Sequence, residues 1–167
     1  MDREELRATQ APLKERYRED PTAAHITLHA EGDLGEGVSC SVQTGRALVE
    51  AGLHPATGGS GLQACSGDML LQALVACAGV TLRSVATSLG IDAAGRVRAE
   101  GDLDFNGTLA VDKEAPVGFT AIRLIFELEG DATDEQKETL IRLTERYCVV
   151  FQTLNSSPAL ATSASWG

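Results

Sequence analysis

Cys65–Gly90, CSGDMLLQALVACAGVTLRSVATSLG, is the stretch on which the rest of the chain is organised. From Ser66 to Leu89 it has the spacing of a long helix. Ser66 is expected to N-cap it, Asp68 suits the positive first turn, and Gly90 ends it. Leu70, Leu74, Thr81 and Val85 fall on one stripe, with Leu71, Ala78, Leu82 and Leu89 beside it. Ala73, Ala76, Gly79 and Val80 occupy the other faces. A helix that is apolar or small all round is expected to be surrounded by protein. Its uncharged run, Met69 to Leu82, falls short of the roughly 18 apolar residues of a membrane span, which predicts a core helix. Cys77 sits at the edge of the apolar stripe, seven residues after Leu70 and four before Thr81.

Upstream, Leu53–Gln63 (LHPATGGSGLQ) is a glycine-rich loop that turns the chain into this helix. Before it, His25 to Ala30, Val38 to Gln43 and Ala47 to Glu50 read as short strands. Residues 3–19 read as an amphipathic helix or two short ones, with Leu6, Leu13 and Tyr17 on one stripe and Pro12 starting a second segment. Downstream, Val97 to Val111 and Thr120 to Glu129 are expected to be long strands. Ile122, Leu124, Phe126 and Leu128 alternate along the second, which predicts one buried sheet face. Thr133 and Gln136 have capping-box spacing at the start of the last helix. Leu140, Thr144, Tyr147 and Cys148 share its inner face. Leu154 to Pro158 turns the chain, and Ala159 to Ala164 is expected to add a final strand. Strands grouped on either side of one central helix predict an α+β fold.

The bulk properties exclude several classes. The chain has 167 residues, enough for one domain with a real core, and a net charge of −10. That surface repels nucleic acid and anionic lipid, so neither nucleic acid nor membrane is an expected partner. The charged N-terminus does not resemble a secretory signal. Together with four cysteines it predicts a cytoplasmic protein. Cys40, Cys65, Cys77 and Cys148 form no CxxC pair and match no zinc-ligand spacing. His25 and His29 fall on one face of an expected strand, without a third ligand. No metal and no cofactor are expected.

Packing is the default role for a cysteine, and Cys40 in the strand SCSV fits it. Cys65 lies by a helix N-terminus, whose field lowers a thiol pKa, while nearby Asp68 pushes the other way. Cys77 and Cys148 differ in their surroundings. GGSGLQACSGDMLLQALVACAGVTL and the later ERYCVVFQTL together resemble the OsmC/Ohr family. That family joins a glycine-rich loop to a long buried helix of LLxALxAC type followed by Thr-Leu. Its second cysteine closes a late helix and is usually followed by proline; Val149 stands at that place here. The resemblance runs from about Ile26 to the C-terminus. It divides the chain into an N-terminal helical extension, residues 1–25, and an OsmC-like domain, residues 26–167.

The resemblance implies an OsmC-like intertwined homodimer with strands packed around the central helices and active sites at the subunit interface. It implies reduction of organic hydroperoxides, with Cys77 as the peroxidatic thiol, Cys148 as the resolving thiol and an external dithiol as reductant. An apolar pocket suits an organic hydroperoxide but raises the thiol pKa, so a cation is expected to hold the thiolate. The family's usual Glu stands ten residues before the first cysteine. That place is Gly67 here, with Asp68 next to it as the candidate substitute. Arg46 is the nearest candidate for the family's Arg, with Arg83 and Arg146 as others. His54, in the glycine-rich loop, is expected to position that loop. Two other roles fit the same residues: an apolar-ligand binding protein and a thiol redox switch.

Overall fold

The computed structural model describes residues 2–20, 32–34, 39–44 and 47–166. Arg46 and the strand expected from His25 to Ala30 lie outside them, as do the side chains of Leu13 and Tyr17. Helix α1 (Arg3–Glu19) is continuous, with Pro12 inside it, so the expected division into two segments does not occur. It lies against the central helix. Strands β1 (Gly32–Leu34), β2 (Ser39–Thr44) and β3 (Ala47–Gly52) form an antiparallel run. The short β4 (Ala64–Cys65) adds in parallel to β3, pairing Gly52 with Cys65. This pairing delivers the chain directly into the central helix.

Helix α2 spans Ser66–Leu89 and ends at Gly90, whose φ of 68° is left-handed. Gly90 N–H donates back to the carbonyls of Ala86 and Thr87, closing the last turn. At the other end Cys65, not Ser66, is the N-cap, and no side chain caps the helix there. The strand pairing of Cys65 accounts for the shift by one residue: the chain leaves extended geometry only after it.

The second sheet is a hairpin of β5 (Ala94–Leu103) and β6 (Phe119–Glu129), paired from Ala94–Glu129 to Leu103–Phe119. β5 stops at Leu103, well before the expected Val111. Asp104 there accepts a hydrogen bond from Asn106 N–H and opens the short helix α3 (Phe105–Thr108). Gly95 has a φ of 127°, and a Cβ at this position would collide with the carbonyl oxygen of Glu127, so close strand pairing requires glycine. The outer face of the hairpin carries a charge ladder in which Arg98 pairs with Glu100 and Glu127, and Arg123 with Glu100 and Asp102. The inner face carries Ile122, Leu124, Phe126 and Leu128 toward the core.

Two further helices complete the core. The expected capping box holds: Thr133 and Gln136 exchange bonds at the start of α4 (Asp134–Tyr147). A break at Cys148 separates α4 from α5 (Val149–Asn155). Leu74, Ala78, Leu82 and Ala86 form the buried row of α2. Their spacing is helical, and small and large side chains alternate along the row, so α2 can lie close to both the sheet and α4. Leu82 and Ala86 pack with Ile91, Ala93 and Leu140; Leu74 and Ala78 pack with Cys148. Thr144 is also buried, and its hydroxyl donates to Leu140 O at 2.7 Å.

Two expectations about exposure and extent fail. Tyr147 is 59% exposed and does not join the inner face of α4. The segment after α5 forms no strand and exposes Leu160 and Trp166. Within a single chain, α2 is left uncovered on one face. Ala73, Ala76 and Val80 form an open row, with Val80 73% exposed. Removing a contact from the buried row should be costly. Leu140→Ala should lower stability by about 2–5 kcal/mol, whereas Leu160→Ala should leave it within about 0.5 kcal/mol; urea denaturation of both variants checks this.

Candidate functional site

The site is built by a helix break. α4 ends because Cys148 takes φ −75° and ψ 107°, which leaves helical space. Its N–H still donates to Thr144 O at 2.9 Å, and its carbonyl accepts from Gln152 N at 2.9 Å, which starts α5. One residue therefore closes one helix and opens the next. Its side chain does not cap α5 but is fully buried against Leu74 and Ala78. The first amides of α5 have no partner within their own helix. They are brought instead to α2, where Cys77 packs with Cys148, Val150 and Phe151.

Cys77 and Cys148 are both free thiols, and Cys77 packs against the cluster that contains Cys148. The polar groups whose influence favours the Cys77 thiolate are those at the start of α5, at Val150 and Val149, with Cys148 and with Thr81, one helical turn along α2. Burial alone pushes the Cys77 thiol up. The Val150 amide, the Cys148 thiol, the Val149 amide and the Thr81 hydroxyl together outweigh it, so Cys77 ionises below the ordinary thiol range. Cys148 moves the opposite way. Its burial pushes it up, and the neighbouring Cys77 adds to the rise, while the amides of Phe151 and Val150 only partly offset both. The pair is therefore polarised into one thiol that ionises readily and one that holds its proton.

The sequence-expected residues separate into two groups. Cys77 and Cys148 come together. Asp68 does not join them: it sits nine residues earlier on α2, about 13 Å along the helix axis. It lines a different cavity of about 390 Å³, with His54, Cys65, Phe105 and Phe119. His54 fills the expected positioning role in its loop, accepting from Ala56 N at 3.1 Å and stacking on Phe105. Arg83 is committed elsewhere, donating to Ala93 O at 2.5 Å. Arg146 lies over the Tyr147 ring at 5.8 Å and shares a cavity of about 440 Å³ with Cys148 and Val149.

Among the described residues, the groups that lower Cys77 are neutral; Arg46, the first candidate for the cation, lies outside them. Thr81 was visible in the sequence as part of the Thr-Leu motif. The two amides had no side-chain signature, and the one available signal was valine at a position where proline is usual.

An apolar groove adjoins the thiols. It measures about 570 Å³ and is lined by Leu70, Leu74, Phe119, Ile122, Phe151 and Leu154 among others. Leu74 and Phe151 belong both to its wall and to the cluster that holds the cysteines.

The polarised pair has a direct consequence for pH. Because its pKa is lowered, Cys77 should already be thiolate at pH values where an ordinary thiol is protonated, and Cys148 should not. Iodoacetamide labelling of the reduced protein, mapped by peptide mass across pH, should show Cys77 modified first and Cys148 only at higher pH.

Comparison with known proteins places this arrangement in a family. The family model for OsmC-like protein matches residues 59–163, which include both thiols. An OsmC-like protein of Mycoplasma pneumoniae superposes with a TM-score of 0.66 at 16% identity, over 79% of this chain and 89% of its own. An organic hydroperoxide resistance protein OsmC of Legionella pneumophila gives 0.61 at 17% identity, over 80% and 92%. An organic hydroperoxide resistance protein of Elizabethkingia anophelis gives 0.57 at 18%, over 80% and 91%. No curated protein sequence matches. With α2 carrying Cys77, the hairpin beneath it and Cys148 closing α4 all inside the matched span, the chain belongs to the OsmC-like family.

Proposed function

We propose that this protein is a two-cysteine thiol peroxidase that reduces organic hydroperoxides to alcohols. The observation that carries this reading is the polarised contact between Cys77 and Cys148. The Cys77 thiolate attacks the outer oxygen of the hydroperoxide. The O–O bond breaks, the alkoxide takes up a proton and leaves as the alcohol, and Cys77 becomes a sulfenic acid. Cys148, already in contact, attacks that sulfur; an S–S bond forms and water leaves. An external dithiol then reduces the disulfide by two successive exchanges and is itself oxidised to a disulfide.

The division of labour follows from the environments. A peroxidatic thiol must be ionised before the substrate arrives. A resolving thiol does better to stay protonated until a sulfenic acid stands beside it. The groove of about 570 Å³ supports an alkyl-bearing substrate over hydrogen peroxide, since burying an apolar tail there is favourable. The same groove supports the binding-protein alternative, and kinetics separates the two readings.

The reading includes a homodimer. Val80 and Val149 are 73% and 70% exposed, and with Ala73, Ala76 and Tyr147 they open an apolar surface around Cys77. A second copy covering this face would shield the thiol from water. Val80→Arg should then convert a sedimenting dimer into a monomer, and a monomeric parent protein would remove the dimer from the proposal.

Turnover of cumene hydroperoxide with excess dithiol tests the chemistry. Cys77→Ser should abolish it. Cys148→Ser should allow one equivalent of peroxide to react and then leave a sulfenic acid that over-oxidises. A wild-type protein that binds the hydroperoxide without consuming it would instead establish the binding role.

A further inference from the structure

Strand β6 carries one irregularity, and it falls beside the apolar groove. The inner side chains of β6 are Ile122, Leu124, Phe126 and Leu128, at every second residue, while Arg123 and Glu127 between them join the charge ladder. Continued strictly, that alternation would turn Phe119 outward with Arg123. The pairing shifts instead: Ala121 lies opposite Asp102 and Phe119 opposite Leu103, so Thr120 is an extra residue. Its hydroxyl donates to Asp102 O at 3.1 Å, across the irregularity. A bulge of this kind re-aims the side chain beyond it. Phe119 therefore turns to the inner face of the hairpin.

The ring has room there because two glycines stand under it. A Cβ on Gly101 would lie 2.5 Å from Phe119 Cε1 and 3.3 Å from Leu71 Cδ2. One on Gly67, in the first turn of α2, would lie 3.4 Å from Phe119 Cζ. Two cavities meet at this ring. Phe119 lines both the groove of about 570 Å³ and the cavity of about 390 Å³ that holds His54, Cys65 and Phe105. At the other end of the groove, Leu74, Ile122, Leu124 and Phe151 also pack in the cluster of the two thiols. Leu70, like Phe119, lies beyond them, one turn or about 6 Å before Leu74 along α2.

We propose that Phe119 is the specificity-determining residue of the groove: its ring is the end wall at which the apolar tail of a substrate stops, with the reacting end toward the thiols. The proposal rests on the reading of the groove as the site of an alkyl hydroperoxide, and it names chain length as the property selected. Each methylene of a tail gains affinity only while the groove has apolar wall to offer it. Past the ring, the space belongs to a separate cavity.

Straight-chain primary alcohols, the products of the corresponding hydroperoxides, probe the groove without chemistry. Their binding to the reduced full-length protein is measured by calorimetry from butanol upward, with turnover of the matching hydroperoxides in parallel. For the parent, affinity should rise roughly fourfold with each added methylene and then stop rising at a limiting length. In Phe119→Ala the rise should continue past that limit, because the second cavity becomes an extension of the groove. Phe119→Leu should extend it less, and it serves if the alanine variant folds poorly. Phe105→Ala enlarges only the second cavity and should keep the parent's limit. A parent that binds no alcohol or shows no limit, a limit unchanged in both Phe119 variants, or one moved equally by Phe105→Ala overturns the proposal. A limit that moves in a protein without turnover upholds the wall and removes the peroxidase reading instead.

Discussion

The packing of one helical row on one hairpin supports everything else in this protein. Leu74, Ala78, Leu82 and Ala86 present an apolar edge of alternating size to the inner face of β5 and β6. The alanines let the helix approach closely, and the leucines fill the space between helix, sheet and α4. That row also sets where Cys77 points. The thiol is one residue before Ala78, so it lies at the margin of the buried face, reachable from outside yet pressed against the junction of α4 and α5. Rotating α2 by one residue would bury it outright or expose it fully.

The second constraint is the break at Cys148. Within an unbroken helix the amides of residues 149–151 would be spent on carbonyls four residues back. Taking φ −75° and ψ 107° at a single residue frees them while Cys148 remains bonded to Thr144 and Gln152 on either side. A buried thiolate would otherwise bear the full desolvation penalty, as the opposite shift of Cys148 illustrates. Cys148 is pushed up by burial and by the neighbouring Cys77, whereas Cys77 is lowered by neutral groups around it.

The open face of α2 gives the site its orientation toward the outside. Val80 on α2 and Tyr147 and Val149 at the α4–α5 junction are all exposed apolar side chains. The charged ladder of Arg98, Glu100, Asp102, Arg123 and Glu127 occupies the far side of the hairpin. The charged ladder and the open row of α2 thus lie on different elements, and Cys77 belongs to the latter.

Much of this was legible in the residues themselves. Helical periodicity placed α2 from Ser66 to Leu89, alternation placed the inner face of β6, and Thr133 with Gln136 marked the start of α4, because each is a local pattern set by backbone geometry. The motif resemblance singled out Cys77 and Cys148. Sequence pattern failed where long-range placement competes with local preference. Tyr147 continues the helical stripe but faces out because the chain turns at Cys148. Asp68 is near Cys77 in the motif but roughly two and a half turns away along a rigid helix. The end of the chain has an apolar pattern but no strand partner among the described residues. By itself, then, the sequence determined which elements form and, through the motif resemblance, singled out two thiols. Only the tertiary structure decided that they meet, because the break at Cys148 and the packing of α5 on α2 are set by contacts between residues far apart in the chain.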